Sequence, residues 1–221
     1  MLGQIDGFGA FSIADWWPFR ALLLGGAAVC VLAALRWGRG VMQRTTDQWA
    51  KAHDEVAPVL VVPDINGSLL ADTECVDSSR GNAETYLTVD LPSFVTKRFE
   101  TDPPGPRWTV AGPSEGGSCS IMLALRHSGV FGTLGDHSGL IGPRDGKLND
   151  DTVSALFGGS GRTAFWAHEP VDLLRSRQYP QLGGWFQVGT ADAEPLAATK
   201  VLAPAAEAAG IAMTAPCAPG S

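Results

Sequence analysis

The chain has 221 residues, 45% of them apolar and 18% charged, and a net charge of −7. That length suits one domain with a sizeable core, and the composition reads as globular rather than disordered. The acidic balance, with no basic run and no internal repeat, argues against nucleic acid or anionic membrane surfaces as main partners.

The N-terminal segment, residues 1–40, is set apart from a domain expected over 41–221. Ala21 to Leu35 form an apolar run between Arg20 and Arg36. It is short of the roughly 20 residues a spanning helix needs, although Trp16, Trp17 and Trp37 suit interface anchors. Arg36, Arg39 and Arg44 on its C-terminal side favour keeping the C-terminal part in the cytoplasm, and the basic start of a cleaved signal is missing. A membrane anchor is one reading. A buried strand over Ala27 to Leu35, opening a βαβ unit with the helix Val41 to His53 and a strand from Pro58 to Val62, is the second. A degenerate leader is the third.

Ala57 to Pro63 is apolar and β-branched, the pattern of a parallel strand buried on both faces. Asp64-Ile-Asn-Gly-Ser68 is a turn, and Glu84 to Phe99 a helix with Leu87, Leu91, Phe94, Val95 and Phe99 on one side and Pro92 inside it. Strands come next at Arg107 to Ala111, Val130 to Asp136 and Gly184 to Gly189, and a last short one within Gly210 to Thr214. Helices are expected at Glu115 to His127, apolar nearly all round, and at Ala193 to Ala209, with Pro204 inside. One or two short helices fall between Leu140 and Gln178. Such alternation implies a parallel sheet flanked by helices.

Gly112-Pro-Ser114-Glu-Gly116 fits G-x-S-x-G between a strand and a buried helix. Small residues two before and two after the serine let strand and helix approach while the hydroxyl stands clear. The Glu115 backbone N–H is then an oxyanion donor. The acid of such a triad comes after a later strand. Asp192 is in place, with helix N-capping as its alternative role and Glu194 as a rival. The base is the difficulty, because His53, His127, His137 and His168 all precede Asp192. His137, just past a strand end, is the candidate, and His168 the lesser one. Cys30, Cys75, Cys119 and Cys217 have no zinc-site spacing; Cys75 and Cys119 are either a disulfide of an exported domain or separate buried thiols.

From about Arg44 to Ala209 the chain resembles actinobacterial esterases related to esterase D-type hydrolases and mycolyltransferases. The residues that carry this include Ala57-Pro-Val-Leu-Val-Val-Pro-Asp64, Tyr86-Leu-Thr-Val-Asp90, Gly112-Pro-Ser-Glu-Gly-Gly-Ser-Cys119, Leu123-Ala-Leu-Arg-His127 and Gly184-Trp-Phe-Gln-Val-Gly189. The resemblance implies an α/β-hydrolase-like parallel sheet flanked by helices, here truncated at both ends: the oxyanion loop is replaced by Arg36-Trp-Gly-Arg-Gly40, and no histidine comes after Asp192. It also implies acyl-ester chemistry with no cofactor and no metal, with Ser114 as nucleophile and Asp192 as acid, on a small-molecule ester or acyl lipid. It points to the membrane or cell envelope, with the cytoplasm as the alternative.

Three functions remain open at this level. One is an ester hydrolase or acyltransferase working through an acyl-enzyme, impaired by the missing histidine. Another is a non-catalytic relative that binds a ligand or partner. The third is a small membrane protein acting through its first helix. Phe165, Trp166 and Trp185 are candidates to line a pocket, though core packing is the expected role of each.

Overall fold

The computed structural model describes residues 44–68, 71–143, 150–158 and 161–214. The chain divides into two units, Met1–Val61 and Val62–Ser221. The apolar run Ala21 to Leu35, with both its membrane and strand readings, lies outside the described residues. No helix among the described residues is long and apolar enough to cross a membrane.

The described part of the first unit is helix α1, residues 44–52, a turn, and a tail without regular secondary structure. The Trp49 ring stacks on His53 at 3.9 Å, one turn along the chain. The tail corrects the sequence expectation. Residues 57–63 form no strand, and Val59, Leu60 and Val62 are 51%, 53% and 72% exposed. A doubly buried strand needs neighbours that accept its backbone bonds, and this segment pairs with no strand among the described residues.

The second unit opens with a short antiparallel hairpin, β1 (Asp77–Ser78) and β2 (Gly81–Asn82). One continuous helical stretch comes next: α2 (Ala83–Thr85), a wide π turn over Tyr86–Asp90, and α3 (Leu91–Phe99). Pro92 accounts for the interruption, since it has no N–H for the ladder and sits at the start of α3. The change of register also breaks the expected apolar face. Leu87 and Val95 are buried, whereas Phe94 and Phe99 are 58% and 49% exposed.

The main sheet has four parallel strands in the order β3 (Gly105–Pro113), β4 (Phe131–His137), β5 (Gly183–Gln187) and β6 (Ala212–Met213). Helix α4 (Glu115–Arg126) joins β3 to β4 and packs on both. Three short helices, α5 (Asp150–Phe157), α6 (Gly161–Trp166) and α7 (Pro170–Ser176), lead to β5, where the sequence pattern suggests one or two. Helix α8 (Ala193–Ala208) leads to β6.

The core is built around α4, whose Ile121, Met122, Leu123 and Leu125 are fully buried with Leu134, Leu156, Leu182 and Leu202. Each such side chain contributes roughly 1.5–3 kcal/mol by leaving water. Trp185 packs over Gly135, whose missing Cβ makes room for the indole. Phe165 is also buried, but Trp166 is exposed, so the core role expected for it is not seen. Cys75 and Cys119 form a disulfide that ties the loop before β1 to α4.

Candidate active site

In a parallel sheet the carboxyl ends of adjacent strands gather at one edge, where loops leave room for a ligand. Here β3, β4 and β5 end side by side, with Pro113 in register with His137 and His137 with Gln187. The lateral bonding continues one residue further: Ser114 N–H donates to His137 O and Ser138 N–H to Gln187 O, both at 2.8 Å.

Ser114 occupies the junction between β3 and α4 with φ 54° and ψ −119°, a backbone that an L-residue rarely adopts. Such strain costs about 1–3 kcal/mol and gathers at functional sites. The reason the flanking glycines are needed is visible directly. A Cβ on Gly112 would lie 2.8 Å from Gly116 Cα and 2.9 Å from its carbonyl carbon. Strand and helix therefore approach to backbone contact, and Ser114 is left exposed above them. The Gly117 and Ser118 amides bond back to Ser114 O, closing the first turn of α4, and Glu115 N–H lies at the open N-terminus.

His137 is exposed, and its Nδ1 lies 3.2 Å from Gln187 Oε1. An amide oxygen only accepts, so Nδ1 is the donor in this contact, and Nε2 is the ring nitrogen left outside it. The imidazole bonds Gln187 rather than Ser114. Gln187 is not singled out by any sequence motif; its one signal is its place at a strand end.

The other candidates are placed differently. Asp192 precedes α8 and is exposed; its carbonyl accepts from Leu196 N–H, but its carboxylate makes no capping bond. Glu194, in the first turn of α8, is exposed as well. His168 is engaged away from the elbow, its Nδ1 2.6 Å from Ala164 O and its Nε2 3.0 Å from Glu84 Oε2. His127 is likewise engaged, with Nε2 2.7 Å from Glu84 Oε1.

Sequence reasoning missed Asp136, which lies buried beneath the elbow. Its Oδ1 accepts from Gly139 N–H at 2.7 Å and sits where a Cβ on Gly117 or Gly139 would fall. Burial raises its pKa to about 6, partly offset by the Gly139 bond and by His137. An acid raised in the folded state weakens folding once it ionises: stability is lost as pH rises from the ordinary value of 3.8 through about 6. Asp136→Asn keeps the acceptor and removes the charge. It should gain about 1–3 kcal/mol at pH 8 and almost nothing at pH 4. Urea midpoints at the two pH values test this, and an equal effect at both would refute it.

A separate cavity of about 490 Å³ lies at the other end of α4, lined by Asp77, Ser78, Glu84, Arg126, Phe157 and His168 among others. The helix puts about 17 Å between its two ends, so this cavity is not the surroundings of Ser114.

A family model described as "Putative esterase" matches residues 38–215. The chain belongs to this esterase family. An uncharacterized protein of Corynebacterium glutamicum is 31% identical over 181 residues, which cover 79% of this chain and 42% of that protein. The MPT51 antigen of Mycobacterium leprae is 26% identical over 129 residues, covering 58% and 38%. The chain thus spans about two fifths of the length of these curated relatives. Among solved structures, a ferulic acid esterase aligns with a TM-score of 0.64 at 16% identity, over 82% of this chain and 70% of that one. An S-formylglutathione hydrolase of Agrobacterium tumefaciens aligns at 0.54 and 19%, over 72% and 60%. The fold of this esterase-family chain is accordingly that of the α/β-hydrolases.

Proposed function

We propose that this esterase-family chain performs acyl-ester chemistry through Ser114. The observation that carries the reading is the Ser114 backbone itself: a strained, exposed serine held between a strand and a helix by two glycines in contact. In this reading Ser114 Oγ attacks the carbonyl carbon of an ester. Its proton passes to His137 Nε2, while the carbonyl electrons move to oxygen and are stabilised by Glu115 N–H. Collapse of the intermediate expels the alcohol, which takes the proton from His137 and leaves an acyl-enzyme. Water or a sugar hydroxyl then attacks the acyl carbon and releases Ser114, giving hydrolysis or transfer. Gln187 orients the imidazole in the tautomer that a base requires, the part a carboxylate plays in most triads. Asp192 is the alternative acid, by its position after β5.

The substrate class is a small-molecule ester or acyl lipid, by analogy with the family. A fluorophosphonate probe tests the reading. It should label the folded wild-type chain at Ser114 and leave Ser114→Ala unlabelled, while His137→Ala should slow labelling by about 10²–10⁴-fold. If folded wild type takes no label, the acyl-ester reading fails and the chain is a non-catalytic member of the family.

A further inference from the structure

The loop before β1 is joined to the nucleophile helix at two points. Glu115, the residue after the nucleophile, accepts on Oε2 from Asn66 Nδ2 at 2.8 Å. Asn66 Oδ1 in turn accepts from Thr73 N–H at 2.9 Å. Thr73 Oγ1 donates to Ile65 O at 3.1 Å and accepts from Cys75 N–H at 3.2 Å. Cys75 is bonded to Cys119, which lies one helical turn after Glu115 on α4. Glu115, Asn66, Thr73, Cys75 and Cys119 thus close a ring around the first turn of α4. Asp64 fixes the Asn66 corner, its Oδ1 accepting from the Asn66 and Gly67 amides at 3.1 and 2.9 Å.

We infer that this ring aims the oxyanion donor: Asn66 and the Glu115 side chain are positioning residues that hold the Glu115 backbone N–H toward the reacting carbonyl. The inference rests on Ser114 being the nucleophile. The physical case is that Glu115 N–H shares one planar peptide with Ser114 C=O, which accepts from the Gly117 and Ser118 amides, so the direction of the donor follows the first turn of α4 and whatever holds that turn holds the donor. A donor aimed at developing charge is useful only when it is already oriented. Here the residue that carries the donor is gripped by its own side chain, and the following turn is gripped by a covalent bond. Both grips come from one loop, whose residues Thr73 and Cys75 are buried. The ring needs an acceptor at Glu115 rather than a charge. Burial pushes the Glu115 carboxyl up and nearby Asp72 adds to this, while the Asn66 bond and a backbone bond at Glu74 oppose it. Glutamine keeps a side-chain oxygen of the same reach to accept from Asn66.

The test uses the full chain with Asn66→Ala, Glu115→Ala and Glu115→Gln. It reads the rate of fluorophosphonate labelling at Ser114, and amide hydrogen exchange at Gly117 and Ser118, whose N–H groups bond Ser114 O. Both alanine variants should label about tenfold or more slowly, a fraction of the 10²–10³ that loss of an oxyanion donor costs. Exchange at the two amides should rise alongside, and Glu115→Gln should recover most of the lost rate. Wild-type labelling rates and exchange in either alanine variant would overturn the inference. So would a Glu115→Gln variant as slow as Glu115→Ala. Should Glu115→Ala fail to fold, Asn66→Ala decides, since it cuts the ring outside the helix. If wild type itself takes no label, the reading of Ser114 fails separately, and unchanged exchange in Asn66→Ala then overturns the ring on its own.

Discussion

Glu84→Ala should lower the unfolding free energy by about 3–5 kcal/mol at pH 7, enough to unfold a marginal domain. Glu84 is 6% exposed and carries three partners: Arg126 Nε at 2.5 Å and His127 Nε2 at 2.7 Å on one oxygen, and His168 Nε2 at 3.0 Å on the other. Removing the carboxylate leaves these donors facing each other with no acceptor, in a place water reaches only in part. It also frees three elements at once, namely α2, the end of α4 and the link between α6 and α7. The pH dependence comes from the same contacts. Burial alone raises the Glu84 carboxyl, but the bonds from His127, His168 and Arg126 outweigh it and hold the group well below the ordinary value of 4.5. A depressed acid contributes stability that is complete above its unfolded pKa and lost as pH falls below it. The gap between wild type and Glu84→Ala should therefore be widest near neutrality and narrow below about pH 4.5. Urea unfolding at pH 7 and pH 3.5 measures it. A gap under about 1 kcal/mol at pH 7, the worth of an exposed pair, would show that the cluster is solvated and not structural.

That cluster also shows where sequence reading stops. Glu84 meets Arg126, His127 and His168 across separations of 42, 43 and 84 residues, and no local pattern announces such a meeting. The same holds for His137 and Gln187, 50 residues apart. The elbow, by contrast, is legible because its requirement is local. A positive φ, a near contact between strand and helix, and an exposed hydroxyl all arise from five consecutive residues. Helices α4 and α8 and the strands β3 to β5 are legible for a related reason, since periodicity and breakers act within each element. Residues 57–63 mislead because a buried-strand pattern states what a segment wants and not whether neighbours supply it. The helix over Glu84 to Phe99 lies where its pattern puts it, yet its face does not, because the π turn ahead of Pro92 rotates α3 relative to what a uniform helix would give.

Gly112→Ala should do more damage than Gly116→Ala, although the motif treats the two glycines alike. The new methyl on Gly112 would meet Gly116 Cα, C and O at 2.8, 2.9 and 3.0 Å. All three are backbone atoms in the first turn of α4, so no side chain can rotate away and strand and helix must separate. Overpacking of this kind costs roughly 1–3 kcal/mol. The displacement falls on the residues that aim Ser114 Oγ and Glu115 N–H, where a shift of about 1 Å can cost 10²-fold in rate. A methyl on Gly116 instead meets Pro113 Cδ at 3.6 Å, an ordinary contact. Alanine also favours a helix over glycine by about 1 kcal/mol, so Gly116→Ala should be nearly neutral or slightly stabilising. Thermal midpoints together with fluorophosphonate labelling separate the two. Equal losses in both variants would mean that the glycines serve only chain flexibility. A loss confined to Gly112→Ala would mean that the backbone contact beneath Ser114 sets the geometry of the nucleophile.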